Sequence, residues 1–282
     1  PADASKWFYG SNPDFIWFKN RTTANNHSLN DSVRGWESTL ISNSTGSEVS
    51  APDISDVNKF GMTIIGDTNY RVNKSGDNYI YWSWKGGGNS VVNSNGTITS
   101  NVSVNTTSGF SVVAYTGTAA NATVGHGLNL TPSFIIAKGR STSGITNPTW
   151  PVYHVSLGAN AYLDLYSTAA STSASTVWQN VTPTSSVFSI GTANSINPSS
   201  GTEIAYCFAP IAGYSAFGSY TGNGSADGPF VYCGFRPRYV MIKPSDLTQS
   251  WTVIDTGRQP YNSNGLELYP NSSSAELTQT GS

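Results

Sequence analysis

Three histidines have the widest chemical range of any residues in this chain, because imidazole can ligate a metal or transfer a proton near neutral pH. They are His27, His126 and His154. No two of them have the short His-x-x-x-His spacing that places two imidazoles on one metal ion, so we expect no metal site. His126 lies between two glycines, which is typical of a tight turn. His154 is a candidate ligand-binding residue, and the alternative is a hydrogen-bonded histidine at a strand end.

A carboxylate followed three residues later by an arginine occurs in two similar stretches. Asp31 precedes Arg34, and Asp255 precedes Arg258. At a strand end this spacing allows the two side chains to pair across a tight turn. Such a pair is usually structural and contributes little when it is exposed. His154 stands at the corresponding place in the middle of the chain, where the pair is absent.

Tryptophan is the other residue type that could bind a ligand, since its ring can stack on a sugar while Asn, Asp and Thr bind the hydroxyls. Most of the eight tryptophans lie in strand-like runs or recur at matching places, which favours a role in packing. Trp36 and Trp178 lie in loop-like segments instead. They are therefore the better candidates for contact with a carbohydrate.

The common catalytic motifs are missing from the sequence. The glycine run at 86–88 lacks the Lys-Ser/Thr pair and the helix of a phosphate-binding loop. No Gly-x-Ser-x-Gly elbow precedes a helix, and no two of the 16 acidic residues stand out as a glycosidase pair. We expect a protein that is not an enzyme and needs no cofactor.

One pattern recurs three times along the chain. Asn-Pro-Asp-Phe-Ile-Trp-Phe-Lys-Asn-Arg at 12–21 returns as Thr-Pro-Ser-Phe-Ile-Ile-Ala-Lys-Gly-Arg at 131–140 and as Arg-Pro-Arg-Tyr-Val-Met-Ile-Lys-Pro-Ser at 236–245. We expect these segments to be equivalent central strands. A closing strand at 79–84 aligns with 204–209 when the two stretches are matched without gaps. Repeats of this length are small domains, longer than the rungs of a solenoid.

The repeat divides the chain into copies. Residues 109–213 form a complete β repeat, which we call the middle copy. The first copy, 1–88, lacks the opening strand of that repeat, and the third copy, 214–282, lacks its closing strand. Residues 89–108 are either a linker or an edge strand. The incomplete copies therefore predict that this sequence is part of a longer chain.

Composition predicts an all-β protein with almost no helix. Apolar runs are short, rich in Val, Ile, Thr and aromatic residues, and separated by Gly, Ser and Asn turns. This favours a tandem of antiparallel β-sandwich repeats of jelly-roll or lectin-like type. Ala169–Trp178 could be a loop or a single helical turn. In the middle copy the predicted strands are Phe110–Thr116, Ser133–Lys138, Trp150–His154, Ala161–Tyr166, Val187–Ile190 and Glu203–Phe208.

Charge and cysteine content narrow the possible partners. Only 11% of the residues are charged and the net charge is −2, with no basic tract, which argues against nucleic acid. No apolar run approaches the roughly 20 residues needed to span a bilayer, so we expect no membrane insertion. Cys207 and Cys233 both lie in strand-like apolar runs. We interpret them as small buried hydrophobic residues, with a disulfide as the alternative.

Several phrases of the sequence resemble repeats in large virion structural and tail-fibre-like proteins of aquatic bacteriophages, including cyanophages. They include Thr-Val-Gly-His-Gly-Leu at 123–128, Tyr-Cys-Phe-Ala-Pro-Ile-Ala-Gly-Tyr-Ser at 206–215 and Phe-Gly-Ser-Tyr-Thr-Gly-Asn-Gly at 217–224. The likeness covers nearly the whole chain. It implies β-rich modules on a virus particle, with no catalytic residues to transfer.

Two interpretations of function follow. The first is a virion appendage protein, tail-fibre-like, that presents repeated β modules for attachment to the host surface. Its partners would be further copies of itself, expected as a trimer, other virion proteins and host surface glycans. A phage head-decoration protein is a variant of this interpretation. The second is a carbohydrate-binding module of a secreted or cell-surface protein.

Overall fold

A computed structural model describes residues 12–50, 52–65, 71–141, 148–259 and 265–278. Residues 1–11, at the start of the first copy, lie outside this part. The all-β prediction is confirmed: every described sheet is antiparallel, and one four-residue helix is present among the described residues. The elements are β1 Phe15–Asn20, β2 Ser28–Asp31, β3 Ser38–Thr39, β4 Val49–Ser50, β5 Ile54–Asn58, β6 Gly61–Ile64, β7 Tyr79–Trp84, β8 Val91–Asn93, β9 Ser100–Asn105, β10 Phe110–Thr116, β11 Ala122–Gly125, β12 Phe134–Gly139, β13 Pro151–His154, β14 Ala161–Asp164, β15 Thr172–Ser173, α1 Ser175–Trp178, β16 Val187–Ile190, β17 Thr202–Phe208, β18 Tyr239–Ile242, β19 Thr252–Asp255, β20 Leu266–Glu267 and β21 Leu277–Thr278.

The middle copy is built on one eight-stranded sheet with the order β15-β14-β13-β12-β17-β10-β9-β8. At one end of the sheet, the edge strand β8 and its neighbour β9 both come from residues 89–108. The predicted strands of the middle copy are all present, with ends shifted by at most two residues. Ala169–Trp178 contains both the short strand β15 and the single helical turn α1.

The three recurring segments, at 12–21, 131–140 and 236–245, each begin a hairpin with the same register. Phe15 of β1 lies opposite Asp31, Phe134 of β12 opposite His154, and Tyr239 of β18 opposite Asp255. A shift of one residue would turn every side chain to the other face of the sheet. The shared register therefore places the ends of β2, β13 and β19 in equivalent positions.

The strand register also corrects the alignment of the closing strands. The gap-free alignment places Trp82 against Cys207, whereas the structure makes Trp82 equivalent to Tyr206. Phe15 pairs with Trp84 in the first copy, and Phe134 pairs with Phe208 in the middle copy. The error is one residue, because the loop before β17 differs in length from the loop before β7. As a result, aromatic side chains occupy the same face of both closing strands.

The three copies share one hydrophobic core. Phe15 and Trp17 of the first copy, Trp150 and Tyr206 of the middle copy and Trp251 of the third copy all belong to it. The rings of Phe15 and Tyr206 stack with their centroids 4.2 Å apart. Burial of each large side chain contributes about 1.5–3 kcal/mol. The copies are therefore joined by a common core.

Each sheet of the first and middle copies also has a second, outer core. In the middle copy, β11, β16 and α1 cover it, and Trp178 and Phe188 are buried there. In the first copy, the β5–β6 hairpin covers Ile16 and Phe18. The two faces of each sheet are thus both packed, as in a sandwich.

The prediction that both cysteines are buried is confirmed for Cys207 and wrong for Cys233. Neither is bridged, and Cys207 is fully buried. Cys233 is partly exposed, contrary to the prediction, because its segment forms no strand in the structure. An apolar run needs a partner strand to become buried, and this one has none among the described residues.

Candidate functional site: the interfaces between the three copies

Asp31 and Arg34 form the predicted pair at the end of β2. Asp31 Oδ2 accepts a hydrogen bond from Arg34 Nε at 2.5 Å, and Asp31 Oδ1 accepts from the backbone N–H groups of Val33 and Arg34. Arg34 Nη2 also donates to the carbonyl of Leu29. The pair is buried, with both side chains 0% exposed. A buried pair of this kind costs much more to break than an exposed pair.

Asp255 and Arg258 repeat this arrangement at the end of β19. Arg258 Nε donates to Asp255 Oδ2 at 2.7 Å, and Arg258 Nη2 donates to the carbonyl of Val253. The backbone N–H of Arg258 donates to Asp255 Oδ1. The two sites therefore have the same local geometry, as expected from their equal register.

Each pair extends across an interface through a glutamate. Glu48 accepts hydrogen bonds from Arg34 Nη1 at 2.9 Å and from both Nε and Nη2 of Arg140, in the middle copy, at 3.0 Å. Burial alone would raise the pKa of Glu48, but the bonds from Arg140 and the charge of Arg34 outweigh it and hold this pKa below its ordinary value. We call this interface, between the first and middle copies, the first–middle interface.

The same network recurs between the third and first copies, at the third–first interface. Glu276 accepts from Arg258 Nη1 at 2.8 Å and from Arg21, in the first copy, at 2.9 and 2.8 Å. Burial would raise the pKa of Glu276, yet the two arginines hold it below its ordinary value. Arg21 and Arg140 are the final residues of the recurring segments at 12–21 and 131–140, so the two networks are equivalent.

The closing strands complete both networks. Tyr206 of the middle copy donates its hydroxyl to Asp31 Oδ2 at 2.8 Å. Trp82 of the first copy donates its indole N–H to Asp255 Oδ2 at 3.2 Å. Burial raises the pKa of Tyr206 well above its ordinary value, so the phenol remains a donor. Each aspartate is thus held by its own arginine and by an aromatic donor from the next copy.

A third set of contacts closes the three copies into a ring. Trp150 of the middle copy donates its indole N–H to the carbonyl of Ser44, in the first copy, at 2.9 Å. His27 of the first copy bonds the carbonyl of Tyr269, in the third copy, at 2.9 Å. Trp251 of the third copy donates to the carbonyl of Asp164, in the middle copy, at 3.0 Å. Since each copy contacts the next in one cyclic order, the chain has internal pseudo-threefold symmetry.

The middle–third interface lacks the charged network. The positions equivalent to Asp31 and Arg34 hold His154 and Leu157, and those equivalent to Glu48 and Arg140 hold Ser171 and Ser245. A backbone bond remains, from the N–H of Ser171 to the carbonyl of Ser245 at 2.8 Å. All four members of the network have therefore changed together.

His154 retains part of the role of the aspartate that it replaces. Its Nδ1 accepts the backbone N–H of Ser156 at 3.1 Å, as the aspartates accept N–H groups in their own turns. Its ring packs edge-on against Phe134 with centroids 6.1 Å apart. Burial lowers the pKa of His154 below its ordinary value. The structure therefore supports the alternative of a hydrogen-bonded strand-end histidine.

Neither tryptophan candidate presents a free ring. Trp178 is 1% exposed and packs against Tyr153 and Phe188, so its interpretation as a ligand contact is wrong: the turn of α1 directs it into the outer core. Trp36 is half-buried against the outer core of the first copy. Loop-like sequence around a tryptophan does not show where its ring points, because the neighbouring elements decide that.

The recurring lysines are structural as well. Lys19 is fully buried and donates to the carbonyls of Asn20, Asn25 and Ser273, and Lys138 donates to those of Thr45 and Pro148. Burial lowers the pKa of each to about 8. Although such a pKa would suit a reactive amine, carbonyl groups hold both ammonium groups across the interfaces.

Glu203 is the one described carboxylate with both side-chain oxygens buried and without a hydrogen bond in the described part of the chain. Burial raises its pKa well above the ordinary value, and this outweighs the opposing charges of Lys138 and Arg140. In the first copy Tyr79 takes the corresponding place in the strand.

Sequence reasoning missed Glu48, Glu276, Arg21 and Arg140. One signal was available: Asn-Ser-x-x-x-Glu occurs at 43–48 and again at 271–276. Among the described residues, histidine, cysteine and carboxylate side chains form no group of three or more that could hold a metal ion. No described helix has the length and apolar character needed to cross a membrane.

The fold and its interfaces define a β-repeat protein in which three copies of one unit close into a ring within a single polypeptide. The chain belongs to a family that is defined by a domain of unknown function, DUF7483, which matches residues 3–282. No curated protein and no solved structure matches it.

Proposed function

We propose that this chain is a non-enzymatic structural module of a virus particle, carried on a tail-fibre-like appendage that attaches to the host surface. The observation that carries the proposal is that the buried charged side chains at the interfaces bond to one another and to backbone carbonyls. The Asp–Arg pairs at the ends of β2 and β19, together with Glu48, Glu276, Lys19 and Lys138, are engaged in holding one copy to the next. Side chains of the types that an enzyme would use on a substrate serve here to keep the molecule rigid.

The composition of the molecule supports a role in assembly outside the cell. It has few charges, packed faces on both sides of its larger sheets and a core shared by three copies. The likeness to virion repeats in the sequence agrees with this role. The expected partners are further copies of the chain, assembling as a trimer, with other virion proteins and host glycans. Exposed aromatic residues at 214–232 supply an apolar surface for such contacts, as at Tyr214 and Tyr232.

The test is to locate the protein on particles. Virions of the virus whose genome encodes the chain would be purified on a density gradient, analysed by mass spectrometry and labelled with an antibody raised against residues 109–213. We expect peptides in the amounts of a structural protein and label on the tail. Absence from the particles would overturn the proposal. A free protein that bound soluble glycans would instead favour the carbohydrate-binding module.

A further inference from the structure

The sheet of β18 and β19, which we call the third sheet, has an apolar outer face that is only partly covered. Val240, Ile242 and Ile254 alternate with the residues that enter the shared core, so they lie on the opposite face of the sheet. Each of the three is partly exposed. The residues at the equivalent places in the middle copy are 0%, 0% and 1% exposed, and they are Ile135, Ala137 and Tyr153. The same face is therefore covered in the middle copy and not in the third.

In the middle copy, residues 122–128 form part of the cover. They lie between β10 and β12 and include the strand β11. Every second residue of this segment is buried, as expected for an extended chain with one side on a core, and these residues are Ala122, Val124, His126 and Leu128. Three of the four belong to the same hydrophobic cluster as Ile135. The segment thus shows how this repeat covers the outer face of its sheet.

The third copy contains the matching segment, but there it is exposed. Two points align the copies with the same offset of 105 residues, Tyr115 with Tyr220 and Pro132 with Pro237. Residues 227–233, which we call the strap, therefore correspond to 122–128 without a gap. Phe230, Val231 and Tyr232 are 91%, 46% and 83% exposed, and no residue of the strap lies in a strand. Contiguous exposed apolar surface of this kind marks an interaction site more often than a solvated loop.

Two differences between the segments fit a strap that docks on its own sheet. Gly125 and Gly127 have no room for a side chain, because a Cβ on Gly125 would collide with Asn93 of β8, and one on Gly127 would lie 3.3 Å from Val102 of β9. The third copy has no counterpart of the β8–β9 hairpin, since residues 209–216 alone separate β17 from Phe217. The strap has Phe230 and Tyr232 at the places of the two glycines. Large rings therefore occur where the hairpin that required glycine is missing.

We propose that the strap closes over the outer face of the third sheet, and that the structure shows its open position. Val231 and Cys233 match the buried His126 and Leu128, so these two residues turn toward the sheet when the strap closes. The strap reaches the face in its own chain, because the connection from residue 233 to β18 is as long as that from residue 128 to β12. Closure is driven by the removal of apolar surface from water on both sides of the contact.

The thiol of Cys233 reports closure, because it is partly exposed in the open position and covered in the closed one. Its alkylation by iodoacetamide would be followed by peptide mass spectrometry in the folded chain. We expect Val231→Ser to label at least about tenfold faster than the wild type, since it removes one buried valine from the closed form. The matched control is Val181→Ser, because both valines are 46% exposed. Equal rates in the wild type and Val231→Ser would overturn the proposal.

A double-mutant cycle tests whether the strap docks on the third sheet. Ile242→Ser changes the sheet and should speed the labelling of Cys233 as Val231→Ser does. The double variant should label no faster than the faster single variant, because both changes break one contact. The buried Cys207 should stay unlabelled in every variant and so confirms that each chain is folded. Independent, multiplying effects of the two changes, or a wild-type rate that falls with protein concentration, would contradict closure within one chain.

This result is separate from the particle test. A chain found on particles whose Cys233 labels at one rate in all variants would refute the strap closure alone. A chain whose strap closes but that is absent from particles would refute the virion role and keep the closure.

Discussion

Two of the three interfaces in the ring are held by buried ion networks, and the middle–third interface is not. At the first two, an aspartate, two arginines and a glutamate from adjoining copies are linked through hydrogen bonds of 2.5–3.0 Å. At the third, the same four positions hold His154, Leu157, Ser171 and Ser245, and they are partly exposed. A buried charge needs every partner, so losing one member makes the others unfavourable. The comparison shows that such a network is kept or replaced as a unit.

The largest effect should come from removing one member of a buried network. Asp31→Ala leaves Arg34 buried without its main partner, and Tyr206 without an acceptor. We expect a loss of about 3–5 kcal/mol in the free energy of unfolding, measured by urea denaturation. The exposed Asp227→Ala serves as the control and should change stability by less than about 0.5 kcal/mol. A loss below about 1 kcal/mol for Asp31→Ala would mean that the network is not needed for stability.

The third–first interface should be the most sensitive to acid, because His27 takes the place that Trp150 and Trp251 take in the other two. Burial, and then the nearby charge of Lys19, lower the pKa of His27 to about 3. The unfolded chain binds this proton below about pH 6.5, and the folded chain does not until about pH 3. Stability is therefore lost as the pH falls through this window, by about 1.4 kcal/mol per pH unit.

His27→Gln should remove that part of the slope, as measured by urea denaturation from pH 7 to pH 4. His154→Gln is the control, since His154 is half-exposed and its substitution should leave most of the slope in place. An unchanged slope in His27→Gln would show that His27 does not govern the acid sensitivity of this interface.

The glutamates should have a smaller effect, because they lie at the edges of the networks. Glu48→Gln and Glu276→Gln should each cost about 1–3 kcal/mol, since each removes charge-assisted bonds from two arginines. Both carboxylates have lowered pKa values, so this stability is present above pH 4.5 and is lost as the pH falls below it. The equivalent Ser171→Ala should be nearly neutral at every pH. Equal effects at all three positions would remove the distinction between the interfaces.

The smallest effect should come from building the network where it is missing. The variant His154→Asp/Leu157→Arg/Ser171→Glu/Ser245→Arg places all four members at the middle–third interface. Because these positions are partly exposed, we expect a gain of only about 0.5–1 kcal/mol. The variant with only the first two changes should be less stable than the complete one. A complete variant no more stable than the partial one would show that the third interface differs in backbone geometry as well as in sequence.

The local features of the molecule followed from its sequence. The strands, the threefold repeat and the Asp–Arg pairs depend on residues within a few positions of one another, and the alternation of apolar residues specifies them. His154 as a strand-end histidine also belongs here, because its hydrogen bond runs to Ser156 in the same turn. The local sequence pattern was enough to predict a contact wherever both contacting residues lay in one hairpin.

The long-range contacts did not follow from the sequence. Glu48 meets Arg140 and Glu276 meets Arg21 across 92 and 255 positions of the chain, and no periodicity connects such distant partners. The burial of Trp178 and the exposure of Cys233 also depended on which elements lie above them. The alignment of Trp82 with Tyr206 required the strand register.

The sequence by itself determined an all-β chain with three equivalent hairpins, because apolar patterning and turn residues act over short distances. The tertiary structure alone decided that the hairpins share one core, that their ends meet in a ring and that two interfaces carry buried charge. These properties arise from packing between distant segments, where a shared core excludes water and leaves each buried polar group dependent on partners from another copy.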